Sequence, residues 1–224
     1  MSAIDATERS NDRSLAASCA VLGAAVGIFG IAFGVGSVAA GGSVAMTCVM
    51  SLLVFTGASQ FSAVSVIASG GSTAAALAGA SLLAARNGVY GLAMSRTLRG
   101  SFLKRIVAAQ ITIDESTAMS TAQEEPRAAR VAFWCTGLSV YVFWNAGTLI
   151  GALAGNAIDP EKFGLDAAFP AGFVAMIIPH LRHPSGRRAA AIGAVICAVT
   201  IPFMPAGVPI LCASVGVLLG VKRP

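Results

Sequence analysis

The sequence predicts an all-α, polytopic integral membrane protein of about seven transmembrane helices, some of them broken or re-entrant. Three observations lead there. Of 224 residues, 56% are hydrophobic and only 11% are charged, against about 25% charged in an ordinary soluble domain. The charges are also clustered: Ser14 to Ala85, Val131 to Ile158 and Ala189 to Val221 contain no Asp, Glu, Lys, Arg or His. A membrane helix needs about 20 apolar residues, so the first of these runs must hold several spans. Third, 25 Gly and many Ala and Ser suit helices that approach one another closely in lipid. Too little charge remains to cover a water-facing surface, which excludes a soluble domain and a soluble enzyme.

The remaining composition narrows the partners. A net charge of +5 can indicate nucleic acid, but the basic residues here sit in short loops between apolar runs. The positive-inside rule explains them more simply, so the surrounding partner is a lipid bilayer and not nucleic acid. Cys19, Cys48, Cys135, Cys197 and Cys212 are scattered singly, with no CxxC pair and no nearby His, and read as small packing residues. No pattern for a metal or a cofactor stands out.

One domain over residues 1–224 is expected, opening with a polar tail at residues 1–16. The apolar run after the tail is far longer than the ~7–15 residues of a signal-peptide core, so it reads as a retained first span. Helices are expected near Ala17–Ala40, Val44–Ser69, Thr73–Ser95, Phe102–Ala122, Ala129–Ile158, Phe169–Leu181, Ala189–Met204 and Val208–Val221. The last two are short for a span, and Met204-Pro205-Ala206-Gly207 between them suggests a tight helical hairpin.

Orientation follows from basic clusters at Arg96, Arg99, Lys104 and Arg105, at Arg127 and Arg130, at Arg182, Arg187 and Arg188, and at Lys222 and Arg223. The loop Asp159 to Asp166 carries three acids and one Lys. If that loop is outside, its neighbours and the C-terminus are cytoplasmic. Both flanks of Phe102–Ala122 then lie on one side, so that segment must be re-entrant, broken or interfacial.

Three places set polar groups among apolar ones. Gly57, Ser59 and Gln60 interrupt a long uncharged run. Such a break frees backbone groups that can bind a substrate or an ion; alternatively, Gln60 hydrogen-bonds a neighbouring helix. Arg86-Asn87-Gly88-Val89-Tyr90 puts a guanidinium within an apolar helix, where insertion costs roughly 2.5–3.5 kcal/mol unless it faces protein or water. Arg86 then pairs with a substrate carboxylate through its planar fork, or else snorkels to the interface. Asp114 and Glu115 are adjacent, so they point about 100° apart on a helix and form no opposed pair. One acid can relay a proton or balance Arg86, unless both lie in an exposed turn. The candidate substrate-binding residues are therefore Gly57, Ser59, Gln60, Arg86, Asn87, Tyr90, Asp114 and Glu115.

Several weaker patterns carry less. Gly34-Val35-Gly36-Ser37-Val38-Ala39 fits a dinucleotide fingerprint but has no strand before it. Gly23/Gly27, Gly30/Gly34 and Gly147/Gly151/Gly155 have the G-x-x-x-G spacing of close helix contacts. His180 and His183 flank a basic loop and read as loop residues. No Walker sequence and no nucleophile–base constellation occurs, so the chain is not expected to be an enzyme.

Four ordered motifs resemble the AzlC family of branched-chain amino-acid permeases. They are Ser51-Leu52-Leu53-Val54-Phe55-Thr56-Gly57-Ala58-Ser59-Gln60-Phe61, Ala85-Arg86-Asn87-Gly88-Val89-Tyr90-Gly91-Leu92, Thr112-Ile113-Asp114-Glu115-Ser116 and Phe163-Gly164-Leu165-Asp166-Ala167-Ala168-Phe169-Pro170-Ala171. Two positions depart from the family pattern: Ile28 replaces a Pro before Phe29-Gly30, and Ala84 replaces an Asn two residues before Arg86. The resemblance implies a plasma (inner) membrane exporter of branched-chain amino acids and methionine, working with a small AzlD-like membrane subunit and without a cofactor. The alternatives are a structural or assembly subunit with no substrate path, or the permease component of an ABC-type system.

Overall fold

The computed structural model describes residues 3–157, 174, 177–178 and 180–216. Among them there is no strand, and nine α-helices follow one another. They are α1 (Ala3–Ala39), α2 (Val44–Leu53), α3 (Ala58–Ala68), α4 (Thr73–Met94), α5 (Phe102–Gln110), α6 (Asp114–Thr121), α7 (Pro126–Ala157), α8 (Pro184–Thr200) and α9 (Val208–Ala213). The chain is an all-α membrane protein. Asp12–Ala39, Pro126–Gly155 and Pro184–Phe203 are each long and apolar enough to cross a bilayer. The acidic loop at 159–166, the fourth motif at 163–171 and most of the helix expected at Phe169–Leu181 lie outside the described residues.

α1 and α7 form the spine. Partners rise along both in step: Asp12 with Arg127, Cys19 with Thr136, Phe33 with Trp144. The two helices therefore run parallel, and both begin at one end of the bundle, called basal below. The glycines expected to mark close contacts do so. A Cβ on Gly30 would come within 2.5 Å of the Trp144 carbonyl oxygen, and one on Gly27 within 2.9 Å of that of Phe143. No side chain fits between these backbones, so only glycine permits the approach.

The sequence suggests one helix over Val44–Ser69, and the structure corrects this. α2 descends from the far end, where Ser37 and Thr47 share a 2.7 Å hydroxyl bond, to the level of Tyr141, against which Phe55 packs. There the chain turns at Gly57, whose φ of 61° is in the region that favours glycine. α3 then returns to the far end, with Gln60 reaching back to the Met50 carbonyl. The pair is a re-entrant hairpin.

α4 runs from the far end to the basal end. It starts at the Ser72 cap, passes Ala63 and Val66 of α3 at Ala76, and ends at Met94 against Phe133. α5 and α6 form a second hairpin, entering from the basal end. Lys104 lies over Trp134 near the start of α7, Ile111 at the tip packs with Phe133, and Ser120 returns to bond the Ala129 carbonyl. Phe102–Ala122 is thus re-entrant, with both flanks at the basal end, as its basic neighbours require.

Two helix starts move furthest from expectation. α1 already begins at Ala3, because no Gly or Pro interrupts the polar tail before Gly23. α8 begins at Pro184 instead of Ala189, with proline in its first turn, which lengthens it enough to cross. The Met204–Gly207 turn makes the expected hairpin between α8 and α9 and abuts Val66 and Ala75 at the far end.

Candidate functional site

The two hairpin tips meet inside the bundle, and each is built by the same device. At the first tip, the Gln60 side-chain oxygen accepts from the Gly57 amide at 3.1 Å. At the second, the Ser116 hydroxyl accepts from the Ile113 amide at 3.0 Å and donates to the Ile111 carbonyl at 2.7 Å. In both cases a side chain three residues into a half-helix holds the amide just ahead of it. That satisfies a backbone donor left over at the break. Threonine stands at the same place in each tip, Thr56 and Thr112, four residues before Gln60 and Ser116. The long helix and far hairpin (α1, α2–α3) and the reverse-oriented helix and basal hairpin (α4, α5–α6) thus repeat one plan in opposite senses. Transporters with inverted repeats put their substrate sites at such an interface.

Side chains tie the tips together. The Gln110 amide donates to the carbonyls of Leu52 at 2.9 Å and Leu53 at 3.4 Å, and the Tyr141 hydroxyl donates to Leu52 at 3.2 Å. These carbonyls end α2 and have no partner within their own helix. On α4, Arg86 spans the same junction. One guanidinium nitrogen lies 3.0 Å from the Asp114 carboxylate, and another donates to the Thr56 carbonyl at 3.3 Å. Asp114 is the first residue of α6, where the positive end of the helix dipole favours a carboxylate.

The ion pair does not use all of its polar atoms. Arg86 Nε and Asp114 Oδ1 are shielded yet have no hydrogen-bond partner, and the same holds for Asn87 Oδ1 and Thr117 Oγ1. Unmet donors and acceptors of both signs around one pair mark a place where a polar ligand or water gains bonds on arrival.

The structure brings most of the sequence candidates to this junction. Gly57 forms the first tip, and the Ser59 hydroxyl is hydrogen-bonded to that of Thr56. Gln60 is fully buried and spends both ends of its amide on the tip backbone, so it shapes the junction. Arg86 and Asp114 meet directly, Asn87 follows Arg86, and Tyr90 lies one turn further along α4. Glu115 is half-buried beside Asp114 on the neighbouring helix face. Sequence reasoning missed Gln110 and Tyr141. Neither lies in a polar cluster, and their role is to hold carbonyls distant in sequence. The matched Thr56/Gln60 and Thr112/Ser116 spacing was the available clue to the second tip. No group of metal-ligating side chains occurs among the described residues.

Two hairpins joined across an ion pair thus sit inside an all-α membrane protein, and its similarity to a known transport protein supports a membrane transport role. A family model described as "AzlC protein" matches residues 21–158, and the chain belongs to that family. It is 24% identical over 201 residues to the branched-chain amino acid transport protein AzlC of Bacillus subtilis (strain 168), covering 87% of this chain and 79% of that protein. It is likewise 24% identical over 174 residues to an uncharacterized membrane protein of Helicobacter pylori (strain ATCC 700392 / 26695), covering 77% and 76%. No solved structure gives a significant match.

Proposed function

We propose that the chain exports branched-chain amino acids, and methionine, across the plasma membrane by secondary transport linked to the proton-motive force, together with a small AzlD-like membrane subunit. The observation that carries this reading is the Arg86–Asp114 pair at 3.0 Å, set between two helix breaks and surrounded by unmet polar atoms. A zwitterionic amino acid carries the same two charges on adjacent groups. Its carboxylate takes the Arg86 fork while its ammonium takes Asp114, so the ion pair opens without leaving either charge alone. The N-terminal ends of α3 and α6 add favourable partial charge at the carboxylate. The aliphatic side chain contributes about 0.8 kcal/mol per buried methylene, which separates leucine from alanine by about 2 kcal/mol. The Asp114 carboxylate holds the ammonium. The Bacillus relative's name supplies the substrate class.

The test is amino-acid flux in proteoliposomes, with and without the small subunit and with and without a pH gradient. The reading expects leucine, isoleucine, valine and methionine to move only with the subunit present, and faster with the gradient. If none of the four moves under any condition, the chain is a structural subunit and the transport reading fails. Full flux by the chain alone removes the partner from it.

A further inference from the structure

Beside the junction lies a cavity of about 480 Å³ between the basal end of α4 and α5. Its lining includes Gly91, Met94 and Leu98 on α4 and its following turn, and Arg105, Ala108 and Thr112 on α5 and its tip. On both sides the spacing is that of a single helix face. Two features show where the cavity leads. Its inner end is Thr112, buried in the second tip and two residues before Asp114. Its α4 face continues one turn inward from Gly91 to Asn87, whose Oδ1 has no partner.

The outer end is basic. Arg99 and Arg105 both line the cavity, and among the described residues neither makes an ion pair or a hydrogen bond. The nearby Lys104, by contrast, lies over Trp134. The cavity is open at Gly91, which is exposed and where a Cβ would meet nothing within 4 Å. The large apolar residues of α5, Phe102, Leu103 and Ile106, point elsewhere, being 78%, 70% and 50% exposed. None of them lines the cavity, whose wall on α5 and its tip is formed by Arg105, Ala108, Ala109 and Thr112.

We propose that this cavity is the water-filled vestibule through which a carboxylate-bearing aliphatic substrate reaches the hairpin junction from the basal end. Arg99 and Arg105 raise the local concentration of anionic groups, and Met94 and Leu98 give the aliphatic part an apolar wall. The inference rests on the transport reading above for its substrate, but not for its water content.

Cysteine substitution at Gly91 tests it. With Gly91→Cys in the full chain, a water-soluble, negatively charged thiol reagent should label at least tenfold faster than the parent's own cysteines. Excess leucine should slow that labelling. A positively charged reagent should react more slowly than the negative one, and Arg99→Gln with Arg105→Gln should erase the difference. In proteoliposomes, Gly91→Trp should reduce leucine flux at least tenfold, since the indole fills space that no atom occupies. Two results overturn the vestibule: labelling by a membrane-soluble maleimide but not by the water-soluble reagents, or unchanged flux in a Gly91→Trp variant that retains the parent's thermal stability. If the parent moves no amino acid at all, the transport reading fails while the labelling results still decide whether the cavity holds water.

Discussion

The α1–α7 spine and the paired hairpins occupy the same bundle and solve opposite problems. In the spine, two long uninterrupted helices bring backbones together through glycines, and within the apolar stretch of both no charged residue occurs. In the hairpins, four short helices keep their ends inside the protein, where unpaired backbone groups cost several kcal/mol each. Gln60, Ser116, Gln110 and Tyr141 meet those ends, and Arg86 joins them through a charge. The difference teaches that stability and function are divided by region: the spine is held chiefly by close backbone packing, with few polar contacts, while the hairpins are held by replaceable polar bonds. Bonds that can be replaced can be exchanged for those of a substrate.

The largest expected effect is on the spine. Gly30→Leu drives a side chain into the Trp144 backbone, which cannot yield as a flexible side chain does, and should destabilise the chain by about 3 kcal/mol. Folded yield and thermal unfolding in detergent measure it, and a parent-like melting curve would show that the spine tolerates separation.

Arg86→Gln should separate the regions most clearly. Leucine flux should fall by about 100-fold, equivalent to about 2.7 kcal/mol of barrier, while insertion and melting remain close to the parent's. Arg86→Lys should restore only part of the flux, because the two-pronged contact with a carboxylate is lost. Asp114→Asn should also lower leucine flux, having removed the carboxylate that holds the ammonium. Parent-like transport by both the Gln and Asn variants would mean that the ion pair only braces the tips.

Gln110→Leu leaves the Leu53 carbonyl without its side-chain donor and the Leu52 carbonyl with only Tyr141. The expected destabilisation is about 1–3 kcal/mol, with a flux loss smaller than that of Arg86→Gln. Differential scanning and flux on the same preparation would check it. A flux loss with no stability change would turn Gln110 from a brace into a substrate contact.

The smallest effect belongs to the other ion pair. Arg127 and Asp12 are 2.8 Å apart, close to the spacing of Arg86 and Asp114, and both pairs are partly exposed, but this one lies near the start of α7, away from the hairpin tips. Such pairs contribute about 0–1 kcal/mol, so Arg127→Gln should leave flux within about twofold of the parent and melting within a few degrees. A large flux loss there would break the contrast between the regions.

Much of this was legible in the residues. Uncharged runs announce the membrane class, and glycine spacing in residues 23–34 and 147–155 announces the close pair. The positions of Arg99, Arg105, Arg127 and Arg130 require Phe102–Ala122 to turn back before crossing. Polar residues at membrane depth are expensive to keep, so Arg86 and Asp114 stand out without any structure. Gln110 and Tyr141 did not, because a side chain that serves a carbonyl 58 or 89 residues away leaves no local pattern.

The sequence by itself determined the lipid environment, the helical class, the glycine faces and the presence of charge among apolar helices, since each depends on composition or on neighbours within a few residues. Only the tertiary structure decided that Val44–Ser69 folds back on itself, that the two tips meet, and that Arg86 closes on Asp114 across them. A straight apolar helix and a re-entrant hairpin can share a hydrophobic pattern. What selects the hairpin is whether the backbone groups freed at Gly57 find partners inside the bundle, and those partners come from Gln60 of the same tip, from Arg86 on α4, from the opposite tip and from α7.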